Sequence, residues 1–374
     1  MWGMTTAQNW FSRPAARDWV APARSGDARP FHEDLPGYCV TPLVELADLG
    51  AELSVARVLV KDESSRLELP AFKILGASWG AAQVMAARTG APVNLAALRA
   101  AAADSDLRLV TATDGNHGRA VARMASLLGV AATVFVPAFM TEQSAGPIRA
   151  EGAEVVRTDG DYDDAVRLAA AFADEDDARE LVQDTAWDGY VQIPAWIVEG
   201  YETLLDEVDE LLGGAPDLFA VPVGVGSLAQ AVVTHYRRPG STHPCVLSVE
   251  PVTAACVLAS LRSGALTSIE TGVTNMAGLN CGTPSGAAWP VLLAGCDAAV
   301  AVTDEAAALA VTDLARDGVS SGPSGAATLA GVRAALTGPG SEIRRQELGI
   351  DITSTVVLLN TEGRQQPPYT GDET

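Results

Sequence analysis

Two kinds of segment alternate along the chain. Short runs rich in β-branched and other apolar residues recur at 57–61, 107–112, 131–136, 154–157, 217–223, 245–249, 298–302 and 355–359. Between them lie Ala-rich or amphipathic stretches at 74–88, 118–128, 163–173, 197–212, 228–236 and 305–315. A strand with almost no polar position is one buried on both faces. Alternation of such strands with helix-length segments predicts an α/β protein with parallel sheets covered by helices. In folds of that kind a ligand sits at the carboxyl ends of the strands, so chemistry is expected in the strand-to-helix loops.

Composition narrows the partners without naming a reaction. The 374 residues are 48% hydrophobic and 19% charged, enough for a sizeable core. At roughly 100–200 residues per domain, two or three domains are expected. The formal net charge of −22 repels phosphate backbones and anionic membranes. No apolar run approaches the roughly 18–20 residues of a membrane span, and no secretory signal is visible in Met1 to Phe11. Cys39, Cys245, Cys256, Cys281 and Cys296 are scattered, without the close pairs of a zinc ribbon. A cytoplasmic protein without a metal site is the expectation. Cys256 and Cys281 both fall near the candidate loops and can tie one if they approach, although free buried thiols are the expected state there.

Three loops carry the candidate chemistry. In Val221-Pro222-Val223-Gly224-Val225-Gly226-Ser227-Leu228-Ala229 a strand runs into a helix through two glycines. Glycine lets the backbone approach a ligand, and the helix N-terminus offers free N–H groups to a phosphate. The same spacing, with Glu250 ending the next strand, also fits a dinucleotide fingerprint, and it fits a plain tight turn. In Thr111-Ala112-Thr113-Asp114-Gly115-Asn116-His117-Gly118 the loop N–H groups can hold a carboxylate, and Asp114 is a possible acid or base. His117 is either a catalytic imidazole or a structural one. Lys73, in Ala71-Phe72-Lys73-Ile74-Leu75-Gly76, is a lone cation among apolar and small residues. It is either a Schiff-base nucleophile or a lysine snorkelling from a helix start. Together, a nucleophilic amine, an Asn-bearing Gly loop and a single-phosphate cradle are the parts that hold pyridoxal 5'-phosphate.

In their order, these motifs resemble a fold-type II pyridoxal-phosphate enzyme of the tryptophan synthase beta-like superfamily, and within it the diaminopropionate ammonia-lyases. The resemblance runs from about residue 31 to 364. It includes Phe31-His32, Thr41-Pro42-Leu43, Val60-Lys61-Asp62-Glu63-Ser64, Val182-Gln183-Asp184-Thr185-Ala186-Trp187, Gly200-Tyr201, Met276-Ala277-Gly278-Leu279-Asn280-Cys281-Gly282 and Thr361-Glu362-Gly363. Serine and threonine dehydratases, similar in plan, carry a small or hydroxyl residue where Asp114 stands. Leu67-Glu68-Leu69-Pro70 departs from the family pattern.

The resemblance implies two open, twisted, mostly parallel sheets flanked by helices, with the cofactor between a large domain (1–69 with 186–374) and a small one (70–185). It implies Lys73 as the Schiff-base lysine with Phe72 packed beside it. Asn116 would contact the ring hydroxyl, Gly224, Val225, Gly226, Ser227 and Leu228 the phosphate. Thr361 would face the ring nitrogen, with Asn360 as the alternative. Thr113, Asp114, Gly115, His117 and Asp184 would face the substrate, and Lys73 and Asp114 would be bases on opposite sides of Cα. The implied reaction is loss of ammonia from 2,3-diaminopropionate to aminoacrylate, then pyruvate and a second ammonia, in a homodimer. Two alternatives stay open: a serine or threonine dehydratase-like β-eliminating enzyme, and an NAD(P)-binding oxidoreductase using the Gly224 loop.

Overall fold

Residues on the central strands are mostly apolar because each face of the sheet meets its own layer of helices. Along β8 (Leu218–Pro222), Phe219 and Val221 join one apolar cluster, whereas Leu218 and Ala220 join another. On β11 (Thr355–Asn360), Val357 and Leu359 face the first layer, Val356 and Leu358 the second. Side chains alternate across a strand, so only a two-sided core demands an unbroken run.

The computed structural model describes residues 9–113 and 115–364. The remaining strands are β1 (Trp10–Ser12), β2 (Leu43–Glu45), β3 (Arg57–Asp62), β4 (Arg108–Ala112), β5 (Ala131–Val136), β6 (Glu154–Arg157), β7 (Arg179–Leu181), β9 (Cys245–Pro251) and β10 (Ala298–Val302). Seven strands form one sheet in the order β1-β10-β9-β8-β11-β3-β2, and four form a second in the order β6-β5-β4-β7. The inner five strands of the larger sheet run parallel, and only β1 and β2 at its edges are antiparallel. All pairs in the smaller sheet are parallel. The expected α/β class with two mostly parallel sheets is what the chain adopts. All eight expected strands form, and the chain adds β1, β2 and β7, three residues each, which its apolar pattern does not announce.

Two long helices cross beside the sheets. In the Lys73–Thr89 helix, Gly76 meets Tyr201 of the Gln192–Leu212 helix. A Cβ on Gly76 would lie 2.5 Å from Tyr201 Cε1, and one on Gly200 would lie 2.5 Å from the Leu75 carbonyl. The backbones approach so closely only because both positions lack a side chain. His32 ties the same place, its Nε2 2.9 Å from the Leu75 carbonyl and its Nδ1 2.8 Å from Thr203 Oγ1. Burial drives its pKa down to about 3, so it is neutral.

A buried ionic cluster fixes the segment that leads to Lys73. Lys61 Nζ lies 2.5 Å from Glu207 Oε2, and the Arg66 guanidinium bridges Glu207 at 2.6 Å and Glu63 at 2.7 Å. Tyr38 donates to Glu207 and Thr41 to Glu63. All four ions are sealed from solvent. The next residues, Leu67 and Glu68, take left-handed backbone angles (φ 50° and 62°), so the stretch that departs from the family pattern is also conformationally unusual. No helix among the described residues is long and apolar enough to cross a membrane.

Candidate active site

Five parallel strands deliver their carboxyl ends to one region. After β3 the chain reaches Phe72 and Lys73; after β4, Thr113 and Asn116; after β7, Asp184; after β8, Gly224 to Ser227; after β11, Thr361 and Glu362.

Lys73 is the first residue of its helix and its side chain is three-quarters buried. It does not snorkel: Nζ donates to Asp184 Oδ2 at 2.5 Å. Asp184 is itself buried, which would raise its pKa, but the charge of Lys73 and the Lys73 hydrogen bond outweigh burial. They hold the carboxylate well below the usual range. Phe72 packs beside the amine, with Nζ 5.4 Å from its ring centroid, and its ring meets that of Tyr201 at 4.8 Å between centroids, tilted by 50°. The Tyr201 hydroxyl, buried, has its pKa pushed up by burial against the pull of Lys73. The sequence marks Tyr201 only through the family resemblance. Its contact with Lys73 follows from the helix crossing, which no local pattern announces.

In the second loop the structure redistributes the expected roles. Asp114 lies outside the described residues. The Thr113 hydroxyl accepts from the N–H groups of both Gly115 (2.9 Å) and Gly118 (3.0 Å). Those two donors, expected to hold a carboxylate, are therefore used inside the loop, and the Thr113 oxygen is a loop clasp. The first-turn N–H groups of Asn116 and His117 remain without an acceptor in their own helix, Asn116–Leu128. His117 is buried and places Nε2 2.9 Å from the Val182 carbonyl, so Nε2 carries the hydrogen. Its Nδ1 faces Asp184 Oδ2 at 3.9 Å. Burial lowers its pKa despite the neighbouring carboxylate. Asn116 donates through Nδ2 to Glu362 Oε2 at 3.0 Å.

The third loop has the shape of an anion cradle. Gly226 caps the Ser227–Tyr236 helix with φ 98°, a left-handed conformation that a side chain disfavours. A Cβ on Gly224 would lie 3.0 Å from the Gly278 carbonyl and 3.1 Å from Cys281 Sγ. The first-turn donors, at Ser227 and Leu228, have no acceptor within the helix. Val225 accepts from Ser285 N at 2.7 Å, which anchors the loop. The Ser227 hydroxyl donates to the Asp184 carbonyl at 2.6 Å, so Ser227 links the cradle to the Asp184 segment. Cys256 Sγ lies 3.8 Å from the Gly224 carbonyl, and no disulfide joins Cys256 to Cys281.

Glu250 corrects the dinucleotide reading. Its carboxyl faces no ribose pocket: it is buried and accepts from Val257 N (2.7 Å) and Leu258 N (2.8 Å) at the start of the Cys256–Ser263 helix. Burial pushes its pKa up to about 8 against those donors. Of the two hydroxyl or amide candidates after β11, Asn360 is consumed internally by Asp62, Ser320 and Ser321. Thr361 accepts from Phe72 N at 3.2 Å through its carbonyl. Ser324, at the start of the Pro323–Leu336 helix, has a buried Oγ without a hydrogen-bond partner. No group of three or more potential metal ligands occurs among the described residues.

A buried amine with its counter-ion, a glycine cradle at a helix N-terminus, an amide from the opposite sheet and an orphaned hydroxyl fit an aromatic aldehyde phosphate. The chain belongs to the family of pyridoxal-phosphate dependent enzymes, whose family model matches residues 35–359. It is 35% identical over 350 residues to the diaminopropionate ammonia-lyase of Escherichia coli (strain K12), covering 90% of this chain and 87% of that protein. A crystal structure of the Escherichia coli enzyme, in complex with an aminoacrylate-PLP azomethine reaction intermediate, superposes with a TM-score of 0.82 at 34% identity. It covers 91% of this chain and 88% of that one. The L-threonine ammonia-lyase of Geobacter sulfurreducens is similar over less: 32% identity across 55% of this chain and 49% of its own.

Proposed function

We propose that this chain is a pyridoxal-phosphate dependent ammonia-lyase acting on 2,3-diaminopropionate, with pyruvate and two ammonia molecules as the final products. The observation that carries the reading is the Lys73–Asp184 pair, buried where the strand ends converge. When bound, pyridoxal phosphate supplies an aldehyde that captures amines and a ring that draws electrons from the bonds at Cα.

The chain's own residues do the rest. Lys73 holds the aldehyde. Displaced from it by the α-amine of the bound amino acid, its freed Nζ would be the base that moves the Cα proton on one face, and Asp114 would be the base on the other. Asp184 keeps a negative charge beside Nζ and is a counter-ion for a substrate carrying a second ammonium group. The donors of Gly224 to Leu228 bind the phosphate, Asn116 the ring hydroxyl and Thr361 the ring nitrogen, with Phe72 packed alongside. Thr113 acts through the loop it clasps, and Gly115, where a Cβ would meet nothing within 4 Å, leaves room for substrate. His117 holds the Asp184 side of the site. The two-domain division at residues 70 and 185 belongs to the same reading, supported by β4 to β7 falling within 108–181. A homodimer in the cytoplasm completes it.

The test is ammonia and pyruvate release from both enantiomers of diaminopropionate, beside serine and threonine, with the reconstituted holoenzyme. Diaminopropionate should be preferred by at least about tenfold in kcat/KM. Faster turnover of serine or threonine would make the chain a dehydratase instead.

A further inference from the structure

Glu362 stands one residue beyond Thr361, and none of the roles above uses its side chain. Its main chain forms an antiparallel bridge with Ala71, two residues before Lys73. Gly322 N donates to the Glu362 carbonyl at 3.0 Å, and Gly363 N to the Pro70 carbonyl at 2.9 Å, so the segment is fixed on both sides. Its carboxylate reaches the opposite way. Oε2 accepts from Asn116 Nδ2 at 3.0 Å and Oε1 from Ser324 N at 3.3 Å. A Cβ on Gly322 would stand 2.6 Å from Oε1, so glycine there makes room for the carboxylate. One residue thus contacts the approach to Lys73 through its backbone and the Asn116 amide through its side chain.

Pyridoxal phosphate makes that relation consequential. Its aldehyde and its phenolic oxygen are on adjacent ring carbons. The lysine that captures one and the amide that bonds the other must therefore keep register to within about 0.5 Å. An unrestrained Asn presents either its oxygen or its nitrogen, which are nearly isosteric. An ionised carboxylate only accepts. It selects Nδ2, takes one of its two hydrogens and leaves the second for the ring oxygen. We propose that Glu362 is a positioning residue: it turns the Asn116 amide so that Nδ2 faces the ring hydroxyl of the cofactor, and it holds that amide in register with Lys73. The proposal rests on Asn116 as the ring-hydroxyl contact.

A double-mutant cycle tests it. Wild type, N116A, E362A and N116A/E362A are compared as holoenzymes by pyridoxal phosphate dissociation constant and by the position and pH dependence of the visible absorption band of the bound cofactor. Each single variant should bind pyridoxal phosphate roughly tenfold more weakly, as for loss of one charge-assisted hydrogen bond. The double variant should be no weaker than either, because both remove the same interaction. E362Q keeps one oxygen acceptor but sets a donor against either Asn116 Nδ2 or Ser324 N, so its affinity should fall between those of wild type and E362A. E362D withdraws the carboxylate by a methylene and should behave like E362A. These two carry the test if E362A does not fold. Additive losses in the double variant, or an unshifted band in E362A beside a shifted one in N116A, overturn the proposal alone. An N116A holoenzyme with wild-type affinity and spectrum removes the Asn116 reading, and the proposal with it.

Discussion

A cation taken largely out of water needs a fixed anion, and Lys73 has one in Asp184. Removing either leaves the other buried without compensation. D184N should cost about 2 kcal/mol by urea unfolding at neutral pH, less than the roughly 3–5 kcal/mol of a fully sealed pair because a quarter of the Lys73 side chain is exposed. Asp184 is held below the ordinary carboxylate range, so it stays ionised down through about pH 4. It should therefore add no acid limb to cofactor uptake by the cofactor-free protein between about pH 5 and 9, which pyridoxal phosphate titrations of wild type against D184N measure. K73A should lose roughly a thousandfold or more in turnover, and borohydride reduction of the holoenzyme should label Lys73 and nothing else. Lys73 was legible in the sequence as a charge among apolar and small neighbours. Its partner stood out less, because Asp184 is 111 residues away and follows a strand of only three residues. Tyr201 and Glu362 were invisible as site residues: each reaches the site through a contact between elements distant in sequence.

At the scale of the element, loops that end parallel strands are shaped by what they cannot accommodate. In the loop after β4, a Cβ on Gly118 would come 2.3 Å from Thr113 Cγ2 and 2.8 Å from Val134 Cγ1. G118A should destabilise the fold by about 2–3 kcal/mol and weaken cofactor binding, measured by urea unfolding and cofactor titration. T113S keeps the oxygen that clasps Gly115 and Gly118 but deletes the methyl. T113S/G118A should therefore regain part of the loss, a rescue that a general packing defect would not show. The long central strands and their helices were legible because two-sided burial writes an unbroken apolar run, and an amphipathic helix writes a 3.6-residue period. β1, β2 and β7 were not, since three residues hold too little of any period to read. The loops' glycines were legible as turn formers. That the Thr113 hydroxyl captures two of the N–H groups meant for a ligand depends on side-chain rotation, which spacing does not encode.

For the whole molecule, the sealed cluster of Lys61, Glu63, Arg66 and Glu207 joins the larger sheet, the Gln192–Leu212 helix and the segment leading to Lys73. Burial would raise the Glu207 pKa, but the Arg66 and Lys61 hydrogen bonds and charges bring it down to about 2. Its folded value lies below the unfolded value of roughly 4.3, so its contribution is complete above that pH and is lost as pH falls toward about 2. E207Q should cost about 3–5 kcal/mol at pH 7. The gap from wild type should narrow in unfolding measurements at about pH 3. The antiparallel strands β1 and β2 bear on how copies of this chain can meet. Each closes one side of the seven-stranded sheet with only three residues, too few to template a continuous ladder with another molecule. The larger sheet is thereby protected from growing, strand by strand, into an aggregate.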